Sequence, residues 1–425
     1  MSYCIAGIDV HKKLLAVVIA DVEVDGERSF TRRRWGTSPS ELRALADWLV
    51  EEEVEEVVME STAQYWRPVW ETLERVWTPG SRVRPDACAQ SGSLHLAQAM
   101  SNRGPRGRKR DFPDAERLVK RLVAEELTLS FVPEPEQRLW RTVMRRKNQL
   151  TRNRVQLQNR LESLLEEAHL KLSSLVSDLL GLSARRMLQA IADGETEPAR
   201  LAALADRRLR ATPEELCDAL GACASLNPVY RKLLQMTLEE LRLLEEQSVQ
   251  LEREMAQLLR EHQAAVQRLA EVPGLGVDSA QQIIAEVGAS AETFPSAKHL
   301  ASWVGVCPGA HESAGVNYSH RSPQGNRPMR RILSQAANAA VKTKGSVFQL
   351  AYRRLVPRLG HAQAIWAVAH RLCRLIWKIL HQAVDYEERG PEVTRSRSKR
   401  RIAKMIRDLR SLGYQVEPSL QGDSA

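Results

Sequence analysis

The opening third of the chain constrains the fold most. CIAGIDV (4–10) and LLAVVIADV (14–22) are apolar, β-branched runs with only His11, Lys12 and Lys13 between them. Runs of this length and composition read as strands, and so short a gap suits a hairpin. RSFTRRRWG (28–36) reads as a third, more exposed strand. Ser38-Pro39-Ser40 then opens a helix through Val50, with a capping serine and an early proline. VEEVVMES is a fourth strand, 62–76 a helix, SRVRPDA (81–87) a short fifth strand and 111–127 a helix. Three antiparallel-type strands followed by alternating helices and strands form an α/β pattern of the ribonuclease H type.

Pro133 and Pro135 close this domain. The spacing predicts almost unbroken helix from 136 to 270, so the fold class is α/β plus all-α. From Leu234 to Leu269 the a/d positions are apolar at eight of eleven places, which predicts a coiled-coil seam. His262 sits in that seam as a tolerated polar residue. About 40 residues at a rise of about 1.5 Å would make a rod of roughly 60 Å. An earlier helix with Val143, Leu150, Leu157, Leu161 and Leu164 is a candidate antiparallel partner, with pairing inside one chain or between two left open. Shorter helices fall between them, at 174–225. The expected division is 1–130, an α/β domain; 131–270, a helical coiled-coil region; 271–388, a mostly helical C-terminal domain; and 389–425, a basic tail.

No apolar run reaches the roughly 18 residues of a membrane span. The start has no basic segment ahead of an apolar stretch, so no signal peptide is expected. The six cysteines form no CxxC pair, which argues against a disulfide framework or zinc knuckle and for a reducing, cytoplasmic setting. The net charge is +9, and 49 of the 62 basic residues are arginine, a bias that genome composition alone could also produce. The placement of the charge is therefore the sharper clue. Residues 103–110 carry five basic groups and no acid, residues 138–160 eight and no acid, and residues 395–410 eight against Asp408. Blocks of one sign suggest a polyanion partner, because a merely solvated surface mixes both signs. The blocks lack the aromatic anchors of a membrane surface.

Four acids form the first motif. Asp9 ends one strand and Glu60 another, and Asp111 and Asp114 open a helix three residues apart, on one face. First and fourth strands are neighbours in a ribonuclease H-type sheet, so all four would cluster. Two Mg²⁺ about 3.5–4 Å apart would offset the repulsion and clamp a phosphoryl transfer, with Mn²⁺ as a substitute. The blander readings are a turn aspartate, a capping glutamate and acids favoured at a helix start. The second motif is Val272-Pro273-Gly274-Leu275-Gly276, which resembles a helix-hairpin-helix; Gly274 and Gly276 would let backbone N–H groups approach phosphate. A plain interhelical turn fits it nearly as well. The third is Ser313 in a Gly/Pro-rich loop, a candidate nucleophile or an ordinary turn serine. His311 and His320 are candidate acid/base groups near it. Ser302 is the rival serine, beside Trp303 in an expected helix. Nucleic-acid contacts are expected at Arg106, Arg108, Lys109, Arg110, Arg138, Arg141, Arg145, Arg146 and Lys147, at Gly274 and Gly276, and at Arg321, Arg327, Arg330 and Arg331.

GIDVHKK, MESTAQYW, GRKRDFPDAERLVKRL, VPGLG…AEVG and LASWVGVCPG…ESAG…QGNRPMRRIL occur in the order seen in one transposase family. The chain resembles the insertion-sequence one-ten family, DEDD-type transposases understood as bridge-RNA-guided serine recombinases, with Piv-type invertases as relatives. The resemblance implies a RuvC-like N-terminal domain, a coiled coil and a C-terminal transposase domain. It places the family's metal-binding tetrad on Asp9, Glu60, Asp111 and Asp114 and its catalytic serine on Ser313. It implies Mg²⁺, donor and target DNA, a structured guide (bridge) RNA, a covalent 5′-phosphoserine intermediate, and dimers assembling into a tetramer with acids and serine from different subunits. A nucleoid-associated cytoplasmic enzyme follows. Ala63 and Ala314 depart from glycines common in the family, and the helical middle is longer than in compact members. The rival functions are a metal-dependent nuclease or junction resolvase, an invertase without guide RNA, and a catalytically idle nucleic-acid scaffold.

Overall fold

The computed structural model describes residues 3–22, 28–61, 63–79, 94–99, 102, 111–309, 311–313, 316–319, 322–388 and 403. The chain divides into two compact units, 1–133 and 134–425.

In the first unit β1 (Tyr3–Val10), β2 (Leu14–Val22) and β3 (Arg28–Gly36) run antiparallel. α1 (Pro39–Glu51) follows, capped by the Ser38 side chain on the Glu41 N–H. β4 (Glu56–Glu60) then pairs parallel to β1, and α2 (Trp66–Val76) leads on toward β5 (Leu94–Ala97), which pairs parallel to β4. α3 (Asp111–Val123) completes the unit. The sheet order is β3-β2-β1-β4-β5. The expected strand SRVRPDA lies outside the described residues, and the fifth strand is Leu94–Ala97. The second helix starts at Trp66, four residues later than expected, and the third ends at Val123, where Glu125 turns to a positive φ of 55°.

Strand alternation sorts this sheet into two faces. Cys4, Ala6, Ile8 and Val10 of β1 pack with Leu42, Leu45, Leu49 and Leu73 of α1 and α2. Ile5 faces the other way, toward Val119 of α3. Gly7 shares that second face, and a Cβ there would run into the Ala115 carbonyl and the Val119 side chain. The glycine of GIDV is therefore what lets α3 lie directly on β1. Burying residues such as Ile5 and Leu118 stabilises the contact by about 1.5–3 kcal/mol each.

The second unit opens with α4 (Pro135–Glu167). Four short helices follow: α5 (Leu172–Leu175), α6 (Leu182–Ala192), α7 (Pro198–Ala202) and α8 (Pro213–Ala219), the last with a full capping box from Thr212 and Glu215. α9 (Pro228–Leu258) then runs antiparallel to α4 within the same chain, as the ion pairs Lys147–Glu252 (2.9 Å) and Arg154–Glu245 (3.5 Å) record. Leu150, Leu157, Leu161, Leu234, Leu241 and Leu244 fill the seam.

The seam is shorter than its heptads suggest. α9 ends at Leu258, a 3₁₀ turn spans Arg260–His262, and α10 (Gln263–Ala270) sets off separately. Leu259, Ala265, Val266 and Leu269 turn into a different core, shared with Trp140, Met144 and the helices that follow. At about 1.5 Å per residue the unbroken α9 is about 46 Å long, not 60 Å. His262 lies in the 3₁₀ turn, its ring 5.1 Å from that of Trp140.

α11 (Val277–Val287) and α12 (Ala297–Val304) precede a small hairpin of β6 (His311–Ser313) and β7 (Val316–Ser319). α13 (Arg327–Ala340) and α14 (Val347–Gln382) close the unit, α14 being broken at Gly360, whose φ of 74° is non-helical. Among the described residues no helix is long and apolar enough to cross a membrane. The basic block 395–410 lies outside them, apart from Ala403.

Candidate active site

The acids come together on the α3 face of the sheet. Asp9 is the last odd-numbered residue of β1, on the face of Ile5 and Gly7. The parallel register pairs Ile8 with Met59, so Asp9 and Glu60 follow at equivalent positions on adjacent strands. Val58, two before Glu60, packs on Leu118 of α3, so Glu60 shares that face. Asp111 and Asp114 stand in the first turn of α3.

The four acids form two pairs. His11 Nε2 lies 3.1 Å from Asp9 Oδ2 and 3.5 Å from Asp111 Oδ1, and Arg34 Nη2 approaches Asp111 Oδ2 at 3.8 Å. On the other side Asn102 Nδ2 donates to Glu60 Oε2 at 2.9 Å. Arg117 Nη2 pairs closely with Asp114 Oδ1 while its Nε donates to the Asn102 carbonyl at 3.1 Å. Asp9 and Asp114 are buried; Asp111 and Glu60 are half-buried.

Asp9, His11 and Asp111 each present one ligand atom, all within 4.8 Å of one another. Two carboxylate oxygens and one imidazole nitrogen, on elements fixed by a buried sheet, are a donor set for a divalent cation. Octahedral ligands about 2.1 Å from a metal stand about 3 Å apart when adjacent, close to the His11–Asp9 separation of 3.1 Å. The residues present thus fit such an ion.

His11, Asn102 and Arg117 are components that sequence reasoning missed. Arg117 had a signal, one turn beyond Asp114 on the same helix face. So did His11, two residues beyond Asp9 and hence on the same side of the strand line. Asn102 had none, being far in sequence from both partners.

In the second unit Ser313 ends β6, paired with Val316 across the hairpin, with a bulge at His311/Glu312. Ser302 is exposed on α12. Gly274 is committed to packing: its φ is +87°, and a Cβ would strike the Ala336 carbonyl and Ala340 of α13. Nothing lies within 4 Å of a Cβ at Gly276, which caps α11 and leaves that helix N-terminus open.

The basic residues divide in the same way. Arg145, Arg146 and Arg327 are exposed and Arg138 is half-buried. Arg141 donates to the carbonyls of Ala285 and Glu286. Lys147 joins Asp278 and Glu252; burial would lower its pKa, but these two hydrogen bonds hold the ammonium above its ordinary value. Arg330 donates to Gly305 O, Pro323 O and Ser322 Oγ and stacks on Trp366. Arg331 reaches Asn148 and Gln282, and burial together with the nearby Arg152 lowers its pKa. These three arginines and one lysine act first as internal ties. Arg106, Arg108, Lys109, Arg110 and Arg321 lie outside the described residues.

Residues 6–170 match the DEDD transposase domain of IS110-type elements, and residues 266–353 match the transposase family described as IS116/IS110/IS902. The chain belongs to the IS110/IS116 transposase family. The matches together span more than half of it and take in all four acids and Ser313. Among curated relatives, a "Probable family 20 transposase" of Pseudomonas aeruginosa is 27% identical over 289 residues, 66% of this chain and 75% of that one. A Streptomyces coelicolor protein of insertion element IS110 is 28% identical over 124 residues, 29% of this chain and 30% of that one. The transposase for insertion sequence element IS1111A of Coxiella burnetii is 29% identical over 124 residues, 28% and 34% of the two chains. This IS110/IS116 member is a DNA transposase. Its DEDD domain uses a divalent metal, and the Asp9–His11–Asp111 group lies inside the matched region.

Proposed function

We propose that this transposase cuts and rejoins DNA through a covalent link to Ser313, at a site whose Mg²⁺ is held by Asp9, Glu60, Asp111 and Asp114. The observation that carries the proposal is the convergence of these acids on one face of the sheet. The strand order β3-β2-β1-β4-β5, antiparallel then parallel, supports a RuvC-like, ribonuclease H-type first domain.

A bound divalent ion would draw electron density from the scissile phosphate and relieve the repulsion among the acids. Ser313 Oγ forms a bond to phosphorus as its proton passes to a base, and the bond to the 3′ oxygen breaks, that oxygen taking up the proton from the base to leave a 3′ hydroxyl. An incoming 3′ hydroxyl then attacks the phosphoserine and expels Ser313 Oγ, which regains a proton. No water enters, so strands are exchanged without net hydrolysis.

Partner choice is assigned to a structured bridge RNA that pairs with donor and target DNA, in an assembly of dimers forming a tetramer, working on nucleoid DNA in the cytoplasm. The all-basic stretch 138–160 supports a nucleic-acid partner, with Arg145, Arg146, Arg152 and Arg160 the exposed members. Backbone contacts of this kind make binding salt-dependent, while base pairing carries the sequence choice. The functional divisions 1–130, 131–270, 271–388 and 389–425 remain the organisation proposed for these roles.

The test is denaturing-gel analysis of the full-length protein with element-end DNA, guide RNA and Mg²⁺. A covalent protein–DNA adduct is expected that disappears in Ser313→Ala. Unaltered cleavage in that variant would overturn serine attack in favour of water, as in a nuclease or resolvase. Recombination that proceeds without the element's non-coding RNA would remove the guide and leave an invertase-like enzyme.

A further inference from the structure

His11 belongs to none of the four acids, yet it is the residue that joins two of them. Its position is built. The His11 N–H closes the β1–β2 hairpin on the Leu14 carbonyl at 3.0 Å, and Thr37 Oγ1 donates to the Lys12 carbonyl at 3.1 Å, pinning the turn from the β3 side. The ring is about one-third exposed, but its Nε2 atom is shut off from solvent and forms no hydrogen bond, although it stands 3.1 Å from Asp9 Oδ2 and 3.5 Å from Asp111 Oδ1. A nitrogen aimed between two carboxylates without hydrogen-bonding either has the placement of a ligand to a shared ion, not that of a simple ion-pair partner.

We propose that His11 is a nitrogen ligand of the metal site and biases it toward a first-row transition ion of the Mn²⁺ class over Mg²⁺. The proposal rests on reading the acids as a metal site and goes beyond it. The physical reason is ligand type. Mg²⁺ demands near-ideal octahedral oxygen coordination and gives up water reluctantly, whereas imidazole suits the first-row transition ions. An all-carboxylate tetrad would be indifferent or favour Mg²⁺; a tetrad with an imidazole inserted between Asp9 and Asp111 is not. The neighbours sharpen the effect. Arg34 and Arg117 bring positive charge to Asp111 and Asp114, so a neutral ligand at His11 adds a donor without adding to the crowded negative charge.

The test uses the intact protein loaded with less than one equivalent of Mn²⁺ and pulsed EPR. Wild type is expected to show the ¹⁴N modulation of a bound imidazole, converted to the ¹⁵N pattern when the protein is grown on ¹⁵N-histidine. His11→Gln is expected to bind Mn²⁺ without that modulation and about tenfold more weakly, a loss of the size seen when metal-site partners are removed. Its Mg²⁺ affinity, read by competition against Mn²⁺, is expected to change less than its Mn²⁺ affinity. Bound Mn²⁺ in wild type with no nitrogen modulation, or modulation that persists in His11→Gln, would overturn the ligand assignment while leaving the acids as a metal site. A protein that takes up no Mn²⁺ would overturn both. The isotope experiment needs no variant, so a folding defect in His11→Gln does not rescue the proposal.

Discussion

Asp9 in the first unit and Glu286 in the second are equally buried, each 3% exposed, and meet opposite surroundings. Glu286 accepts from Asn326 Nδ2 at 3.0 Å, and Arg145 and Arg141 stand at 3.6 and 3.7 Å from its oxygens. Arg141 also donates to its main-chain carbonyl at 2.6 Å. Asp9 faces His11 and, across it, a second acid, Asp111. Both carboxylates bear the cost of leaving water. The chain's own arginines offset that cost for Glu286. Around Asp9 the described neighbours are a histidine and a further acid, an arrangement that a cation would stabilise. On the proposed reading of the site, the difference separates a structural acid from a metal-holding one at identical burial.

The strongest way to break this contrast is Asp9→Asn. Strand cleavage should fall on the order of a thousandfold or more, since metal-dependent stabilisation of the transition state amounts to several kcal/mol. The thermal midpoint of the same variant should hold or rise, because a neutral amide is nearly isosteric and relieves repulsion with Asp111. Cleavage rates and a melting curve on one preparation decide it. Activity within tenfold of wild type would mean that Asp9 is no different from any buried acid.

Glu286→Ala should do the reverse. Removing it leaves Arg141 and Arg145 facing a cavity and strips Asn326 of its acceptor. Asn326 also caps α13 through the Met329 N–H, so the loss reaches the segment that leads out of the serine hairpin. Breaking a buried pair costs about 3–5 kcal/mol, to be read from the denaturant midpoint of the second unit. Arg141→Met combined with Glu286→Met should recover much of that loss, because burial without charge needs no counterion.

What the chain disclosed in advance follows the range of the interactions involved. β1, β2, β3 and α1 were legible because runs, a tight gap and a Ser38 cap are local signals. β5 was not: Leu94–Ala97 is four residues long with only its last two buried, and its identity depends on β4 as a partner. The heptads ran past the real end of α9 because Ala265 and Leu269 keep the spacing while serving another core. The acids were legible at strand ends and a helix start. His11 was read as a turn residue, and Glu286 was not singled out at all, because neither burial nor countercharge is a property of neighbouring residues. Nothing in the arginine count separates Arg145, exposed on α4, from Arg330, which is used inside the fold.

A third carboxylate sharpens the comparison at its weak end. Glu245 on α9 is paired by Arg185 through two guanidinium nitrogens and approached by Arg154 at 3.5 Å, so its countercharge resembles that of Glu286. Its side chain, however, is 32% exposed. The hydrogen bonds from Arg185 pull its pKa below the ordinary carboxylate value, against a smaller opposing push from burial. A depressed carboxylate contributes stability that is present above its unfolded value and is lost as pH falls through the folded one. Glu245→Gln should therefore lower stability in the neutral region, by the amount that wild type loses in acid, and converge with wild type as pH falls below about 4.5. Solvent screening holds the effect to about 1 kcal/mol or less, and raised salt should shrink it further. Denaturant midpoints of both proteins across the acid range measure it. If Glu245→Gln cost as much as Glu286→Ala, countercharge rather than burial would set the scale, and the equal burial of Asp9 and Glu286 would no longer be the right basis for comparing them.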